Sequence, residues 1–153
     1  MVDNVARAEA TAWTTEERPE QAAARLVTTR DAEWVTRFAA ELDRRRSSEE
    51  LARVLTVWGL SQANAARLFG VSRQAVTKWL ASGVPIDRAV AIGDLAAATD
   101  LLVRYLRRER IPAVVRRAAA VTGGATLLEL AGIDPAQALA AVRAMFDFGA
   151  VSA

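Results

Sequence analysis

The stretch LSQANAARLFGVSRQAVTKWLASG, residues 60–83, decides the predicted fold of the centre of this chain. Ser61 and Ser72 are each a natural N-cap residue, and each precedes a run of helix-forming residues, QANAARLF and RQAVTKWLA. Gly70 stands between the two runs, where the chain needs a left-handed turn that glycine adopts without strain. The stretch therefore predicts two short helices joined by a tight turn.

Small and apolar residues predict how these two helices pack. Ala66 is small where the helices must approach closely, and Val76 and Trp79 lie on the face that turns back to the core. The opposite face of the second helix carries Arg73, Gln74, Thr77 and Lys78. Residues 61–82 contain no Asp or Glu, although a face that is merely solvated usually carries acids. This face is predicted to meet an anionic partner.

The pattern over residues 51–82 resembles the helix-turn-helix of phage-repressor and Xre-type regulators. The resemblance rests on the small Ala66, the turn residue Gly70, the cap Ser72 and the core positions Val76 and Trp79. It implies that the second helix is a recognition helix that enters the major groove of double-stranded DNA.

Individual side chains of this region suit that role. Arg73, Gln74 and Thr77 are the candidate base contacts, because Arg and Gln make paired hydrogen bonds to guanine and adenine. Gln62, Ser72 and Lys78 are the candidate phosphate contacts, since two of them stand at helix starts and the third is a cation.

The rest of the chain predicts an all-α fold, because apolar residues recur at helical spacing and alternating β-branched runs are scarce. We predict a helix that starts near Asp31 and ends at DRRR, residues 43–46, and a new helix that starts at a capping box formed by Ser47 and Glu50. Another helix is predicted to begin near Pro85. Its buried face is predicted at Ile86, Ala89, Val90, Gly93, Ala97 and Leu101.

Three segments follow from this pattern. Residues 1–46 form an N-terminal helical extension, residues 47–83 the helix-turn-helix DNA-binding region, and residues 84–153 a C-terminal helical domain for partner binding or oligomerisation. The extension is open to two interpretations, packing on the core or acting as a dimer arm.

The C-terminal segment resembles the corresponding domain of Xre/MbcA/ParS-type antitoxins. The matching positions are Gly123, Gly124, Leu127, Leu128, Gly132 and the last helix. Val114 and Val115 depart from the family, which usually has a Trp-Leu pair there. In that family the region binds a partner toxin, often an enzyme that acts on NAD, and blocks its site. The resemblance implies the same role for this segment.

Six arginines lie between residues 104 and 117, opposed only by Glu109. One interpretation is a solvated face with cations at helix ends. The other is a second DNA-binding patch or a site for an acidic partner.

Composition argues against an enzyme. The chain has no Cys and no His, which removes the usual zinc, haem and imidazole-base sites, and Asp87, Asp94 and Asp100 are too scattered for a catalytic carboxylate pair. We expect no catalytic residues, no metal and no cofactor. Because no apolar run could span a bilayer and no signal segment opens the chain, we expect no membrane association and a cytoplasmic, nucleoid-associated location in bacteria.

The leading hypothesis is a homodimeric repressor that binds a specific DNA sequence, the antitoxin of a toxin–antitoxin pair that represses its own operon. The alternative is a stand-alone regulator, such as a phage or prophage repressor, whose C-terminal helices serve only self-association or further DNA contact and bind no toxin.

Overall fold

The computed structural model describes residues 17–147, and all regular structure in that range is helical. The prediction of an all-α fold is confirmed. Residues 1–16 and 148–153, which belong to the predicted N-terminal extension and C-terminal domain, lie outside the described residues. The α-helices are α1 (Pro19–Thr29), α2 (Ala32–Trp58), α3 (Gln62–Phe69), α4 (Arg73–Ser82), α5 (Ile86–Tyr105), α6 (Ile111–Val115), α7 (Leu127–Ile133) and α8 (Pro135–Met145). Two 3-10 turns, Arg108–Arg110 and Ala120–Thr122, flank α6.

The chain divides into two compact units, residues 1–41 and 42–153. In the first unit, Arg25 and Glu17 form an ion pair with an N–O distance of 2.8 Å. The rings of Trp34 and Phe38 stack with their centroids 5.0 Å apart. None of the described side chains of this unit is buried, so local contacts of this kind are what hold its helices.

Helix α2 runs without a break through the segment where two helices were predicted, so the prediction that one helix ends at residue 46 and another begins at Ser47 is wrong. Ser47 lies inside the helix and is only 6% exposed. Its Oγ donates to the Arg44 carbonyl at 2.9 Å and accepts the backbone N–H of Val84 at 3.0 Å. Glu50 pairs instead with Arg46, at an N–O distance of 2.9 Å. The local signature of a helix start is therefore overridden by a hydrogen bond to a residue much later in the chain.

The second unit contains two clusters of buried side chains. The larger, here called the C-terminal cluster, joins the last turns of α2 to α5, α6, α7 and α8. Trp58 is fully buried in it, and its Nε1–H donates to Thr99 Oγ1 at 2.9 Å. The Thr99 hydroxyl donates in turn to the Leu95 carbonyl at 2.7 Å. Both buried polar side chains are thus hydrogen-bonded, as a stable core requires.

The smaller cluster, here called the α3–α4 cluster, lies beneath the stretch at residues 60–83. Its buried members are Leu51, Leu55, Ala65, Ala66, Val76, Trp79, Val84 and Ile92. They come from α2, α3, α4, α5 and the α4–α5 connection, so four helices hold this region in place.

Helix α5 does not bury the face that its sequence predicts. Ile86 is 92% exposed and Val90 is 76% exposed, while Ala89, Gly93, Ala97 and Leu101 are only half-buried. The buried residues are Ile92, Leu95, Ala96, Ala98, Thr99 and Leu102. The helix is so rich in apolar residues that several faces satisfy helical spacing, and packing against the α2 end and α8 selects among them.

Among the residues that the structure describes, no helix is both long enough and apolar enough to cross a membrane.

Candidate nucleic-acid interface

The segment of residues 61–83, here called the α3–α4 pair, begins each helix with a serine cap. Ser61 Oγ accepts the backbone N–H of Asn64 at 3.1 Å, and Ser72 Oγ accepts that of Ala75 at 3.1 Å. Each cap satisfies one of the N–H groups that a helix start leaves without a partner. The hydroxyl hydrogen of Ser72 remains available for a donor contact outside the chain.

The turn between α3 and α4 is formed by Gly70 in the left-handed region, with φ +64° and ψ +36°. The backbone N–H of Val71 donates to the Ala66 carbonyl at 2.9 Å, and that of Gly70 to the Arg67 carbonyl at 3.3 Å. This is the Schellman arrangement, which closes a helix and redirects the chain at once. It brings the start of α4 directly after the end of α3.

Buried side chains fix the orientation of α4. Val76 is fully buried, and Ala66 and Trp79 are nearly so, all within the α3–α4 cluster. The Phe69 and Trp79 rings lie with centroids 6.0 Å apart and planes tilted by 56°. With Val76 and Trp79 pointing inward, the opposite face of α4 is left to solvent.

That outward face carries the residues predicted to bind DNA. Arg73, Gln74 and Lys78 are exposed. Within residues 17–147 their side chains make no hydrogen bond, ion pair or ring contact. Ser72 and Thr77 are exposed beside them, and the Gln62 side chain is half-buried. The structure therefore brings all six predicted contact residues to the ends and outer face of the α3–α4 pair.

A hydrogen bond links two of these six residues. Thr77 Oγ1 donates to Gln62 Oε1 at 2.8 Å, and it also lies 3.1 Å from the Arg73 carbonyl. The bond ties α4 to the first residue of α3. It fixes the Gln62 side-chain amide so that its NH₂ group can donate elsewhere, while the Thr77 methyl group remains free for an apolar contact.

Sequence reasoning missed the contacts that hold the far end of α4. Gly83 has φ +93°, and a Cβ at this position would lie 2.7 Å from the Arg44 Cβ and 2.8 Å from the Arg44 carbonyl oxygen. The chain can touch the α2 backbone there only because glycine has no side chain. Val84 follows, with its N–H on Ser47. A glycine after a helix is a visible signal in the sequence, but its neighbour on α2 is not.

Arg116 has a structural role that the sequence left open. Its Nη1 donates to the carbonyls of Trp58 at 2.9 Å and Pro112 at 2.7 Å, and its Nη2 donates to the carbonyl of Gly59 at 2.8 Å. The guanidinium thereby caps the C-terminal end of α2, where unpaired carbonyls attract cations. One of the six arginines is thus a helix-end cation.

A groove of about 450 Å³ separates α3 from α7. Its lining residues are Leu60, Asn64, Arg67, Leu68, Leu128, Glu129, Gly132 and Ile133. Ile133 is among the most exposed apolar side chains of the described residues.

Helix α7 begins at a reciprocal capping box formed by Thr126 and Glu129. Glu129 accepts the backbone N–H of Thr126 at 2.7 Å, and Thr126 Oγ1 accepts that of Glu129 at 3.1 Å. The hydrogen bond from the Thr126 backbone is the main cause that lowers the pKa of Glu129 below its ordinary value, and the Thr126 side chain lowers it further. No group of three or more acidic side chains within residues 17–147 is arranged to hold a metal ion.

Comparisons with protein-family models, with curated proteins and with solved structures each found no match to this chain.

Proposed function

We propose that this protein is a transcriptional repressor that binds a specific DNA sequence, with the α3–α4 pair as a helix-turn-helix and α4 as its recognition helix. One observation carries the proposal. Arg73, Gln74 and Lys78 stand exposed and unpaired among the described residues, on a helix whose opposite side is locked by Val76 and Trp79. No acid occurs between residues 61 and 82, so nothing there repels phosphate.

The roles of the base-reading residues follow from their chemistry. Arg73 and Gln74 stand in the first turn of α4 and have the donors and acceptors that read guanine and adenine in the major groove. The Thr77 hydroxyl donates its hydrogen to Gln62, so the group that Thr77 has left for base reading is its methyl group, which suits the methyl group of thymine.

Phosphate contacts would hold the two helix starts on the duplex backbone. Ser72 has a free hydroxyl hydrogen at the start of α4, and Gln62 has a fixed amide at the start of α3. Backbone N–H groups at both helix starts favour an anion. Lys78, one turn further along α4, adds a charge that acts on any sequence alike.

The protein is proposed to act as a homodimer, because one module of this size buries little surface on DNA. A two-fold pair would place two recognition helices in successive major grooves about 34 Å apart. Ile86 and Val90 are exposed on adjacent turns of α5, and the apolar surface that they form supports self-association.

For the C-terminal helices we propose the binding of a protein toxin, as the antitoxin resemblance implies. The α3–α7 groove, with the exposed Ile133 and half-buried Leu128, supports a protein partner. The alternative is a stand-alone regulator in which the same helices serve self-association. In either case we propose a non-enzymatic bacterial protein of the cytoplasm and nucleoid that needs no cofactor. Co-purification with the product of a neighbouring gene, and rescue of cells from it, would support the toxin; failure of both would favour the alternative.

The decisive experiment selects bound duplexes from a random pool and then compares variants on the recovered site. Arg73→Ala should relax the preference at one base pair by about 1–3 kcal/mol. Lys78→Ala should weaken all duplexes alike and flatten the salt dependence. Arg143→Ala, which removes an exposed arginine from α8, is the matched control. The assignment of α4 is wrong if both α4 variants bind the selected site and a random duplex as the control does.

A further inference from the structure

Four arginines of the connection between α5 and α7 have no partner within residues 17–147. They are Arg107, Arg108, Arg110 and Arg117, here called the arginine patch. All four are exposed, and none makes a side-chain hydrogen bond, ion pair or ring contact in that range. Glu109 is the only acid between residues 104 and 117. Four unneutralised charges so close in sequence indicate a surface for an anionic partner.

The fold fixes where this patch lies. Pro112 of α6 is 3.3 Å from the position that a Cβ on Gly59 would occupy. Arg116 also joins the end of α6 to this point, because its guanidinium donates to the carbonyls of Trp58 and Gly59. Gly59 lies only two residues before Ser61, the cap of α3. Helix α6 is therefore packed beside the point where the chain enters α3.

Distances along the chain bring the arginines to that point as well. At about 1.5 Å of rise per residue, the backbones of Arg110 and Arg117 lie within about 10 Å of Pro112, one at each end of α6. Arg116 acts here as a positioning residue, because it anchors the end of α6 that carries Arg117.

We propose that the arginine patch is a second contact to DNA phosphates, next to the one formed by the start of α3. The inference rests on the proposed function, because it takes α4 as the recognition helix. In that arrangement the first helix of the motif crosses the phosphate backbone, so Gln62 and its neighbours face phosphates. Arginine suits the next phosphates along the strand, since its guanidinium binds phosphate oxygens in a paired fashion.

The consequence is a longer and more salt-dependent contact with DNA than the α3–α4 pair makes alone. Each phosphate neutralised by an arginine releases counterions, which adds about 0.9 to the slope of log affinity against log salt. The patch adds affinity on every sequence and no base preference.

The experiment measures binding to a random 30-base-pair duplex over a series of KCl concentrations. The test variant is Arg110→Gln with Arg117→Gln, the two patch arginines that flank α6. The control variant, Arg37→Gln with Arg143→Gln, removes the same charge from exposed positions elsewhere. Lys78→Gln reports on the recognition helix. Because the patch side chains are exposed and make no hydrogen bond, ion pair or ring contact within residues 17–147, thermal unfolding of the test variant should match the parent.

The expected result is a slope reduced by about 1.8 in the test variant and unchanged in the control. Taking equal affinities at 1 M salt, this slope change makes binding about 60-fold weaker at 0.1 M. The patch proposal is overturned if Lys78→Gln flattens the slope and the test variant matches the control; the proposed function would then stand. It is also overturned if the test variant loses only the binding of poly-L-glutamate, which would mark a surface for an acidic protein. A parent protein that binds no duplex would remove both proposals.

Discussion

Replacing Ser47 by alanine tests how the C-terminal end of α4, the proposed recognition helix, is held against α2. The Ser47 hydroxyl accepts the N–H of Val84 at 3.0 Å, and both residues are buried. The substitution leaves that N–H without a partner, which costs about 1–3 kcal/mol. Alanine favours a helix interior by about 0.5 kcal/mol over serine, so the expected net loss of unfolding free energy is about 0.5–2.5 kcal/mol.

Ser48 is the matched control, because it is the next residue of the same helix. Its hydroxyl donates to the Arg45 carbonyl at 2.9 Å, as that of Ser47 does to the Arg44 carbonyl, but within residues 17–147 it receives no N–H from another segment. Ser48→Ala should therefore leave stability unchanged or raise it by about 0.5 kcal/mol. The two positions share the hydrogen bond to a carbonyl three residues earlier but differ in the contact with Val84 and in burial, because Ser47 is buried and Ser48 is half-buried.

Urea unfolding followed by tryptophan fluorescence measures the difference, since Trp58 and Trp79 are buried in the second unit. In thermal melts, a chain of this length should lose about 2–4 °C of Tm per kcal/mol. Equal stabilities for Ser47→Ala and Ser48→Ala would refute the reasoning, because the Val84 contact would then contribute nothing.

Two further predictions concern local backbone and charge. Gly70→Ala should destabilise the protein by about 1–2 kcal/mol, because an L-residue is strained at φ +64° although no heavy atom beyond the adjacent residues of the described chain lies within 4 Å of the new Cβ. Gly93→Ala, equally open but inside α5, should stabilise it by about 0.5–1 kcal/mol, so melts that shift in the same direction would contradict the argument. The hydrogen bond from the Thr126 N–H lowers the pKa of Glu129 in the folded protein. The stability that the ionised Glu129 side chain contributes is therefore complete above its ordinary pKa of 4.5, and it is lost as the pH falls through the folded value. The Tm difference between parent and Glu129→Gln should therefore shrink in acid, and a difference that is constant over about pH 3–7 would exclude this cause.

Features that depend on residues close together in the sequence could be predicted. The caps Ser61 and Ser72 and the turn at Gly70 depend on hydrogen bonds within five residues of each other. The inward positions of Val76 and Trp79 follow from helical spacing alone. These rules are local, so the α3–α4 pair and the exposure of its contact residues follow from the order of the amino acids in that stretch.

Features that depend on distant segments could not be predicted. Ser47 and Glu50 have the spacing of a helix start, yet the Ser47 hydroxyl accepts a hydrogen bond from the N–H of Val84, 37 residues later in the chain. Arg116 caps carbonyls 57 and 58 residues before it. The buried face of α5 was misassigned for a related reason, because apolar residues on several sides of a helix leave the choice to its neighbours.

The two buried clusters share two helices, and this sharing links the proposed DNA site to the C-terminal helices. Helix α2 gives Leu51 and Leu55 to the α3–α4 cluster and Trp58 to the C-terminal cluster. Helix α5 gives Ile92 to the former and Leu95 to the latter. Because cores are close-packed, we expect that a partner able to displace α5 would also change the packing beneath α4. If the proposed toxin binds there and moves α5, we expect it to change the proposed DNA affinity through the same side chains that keep α4 in place.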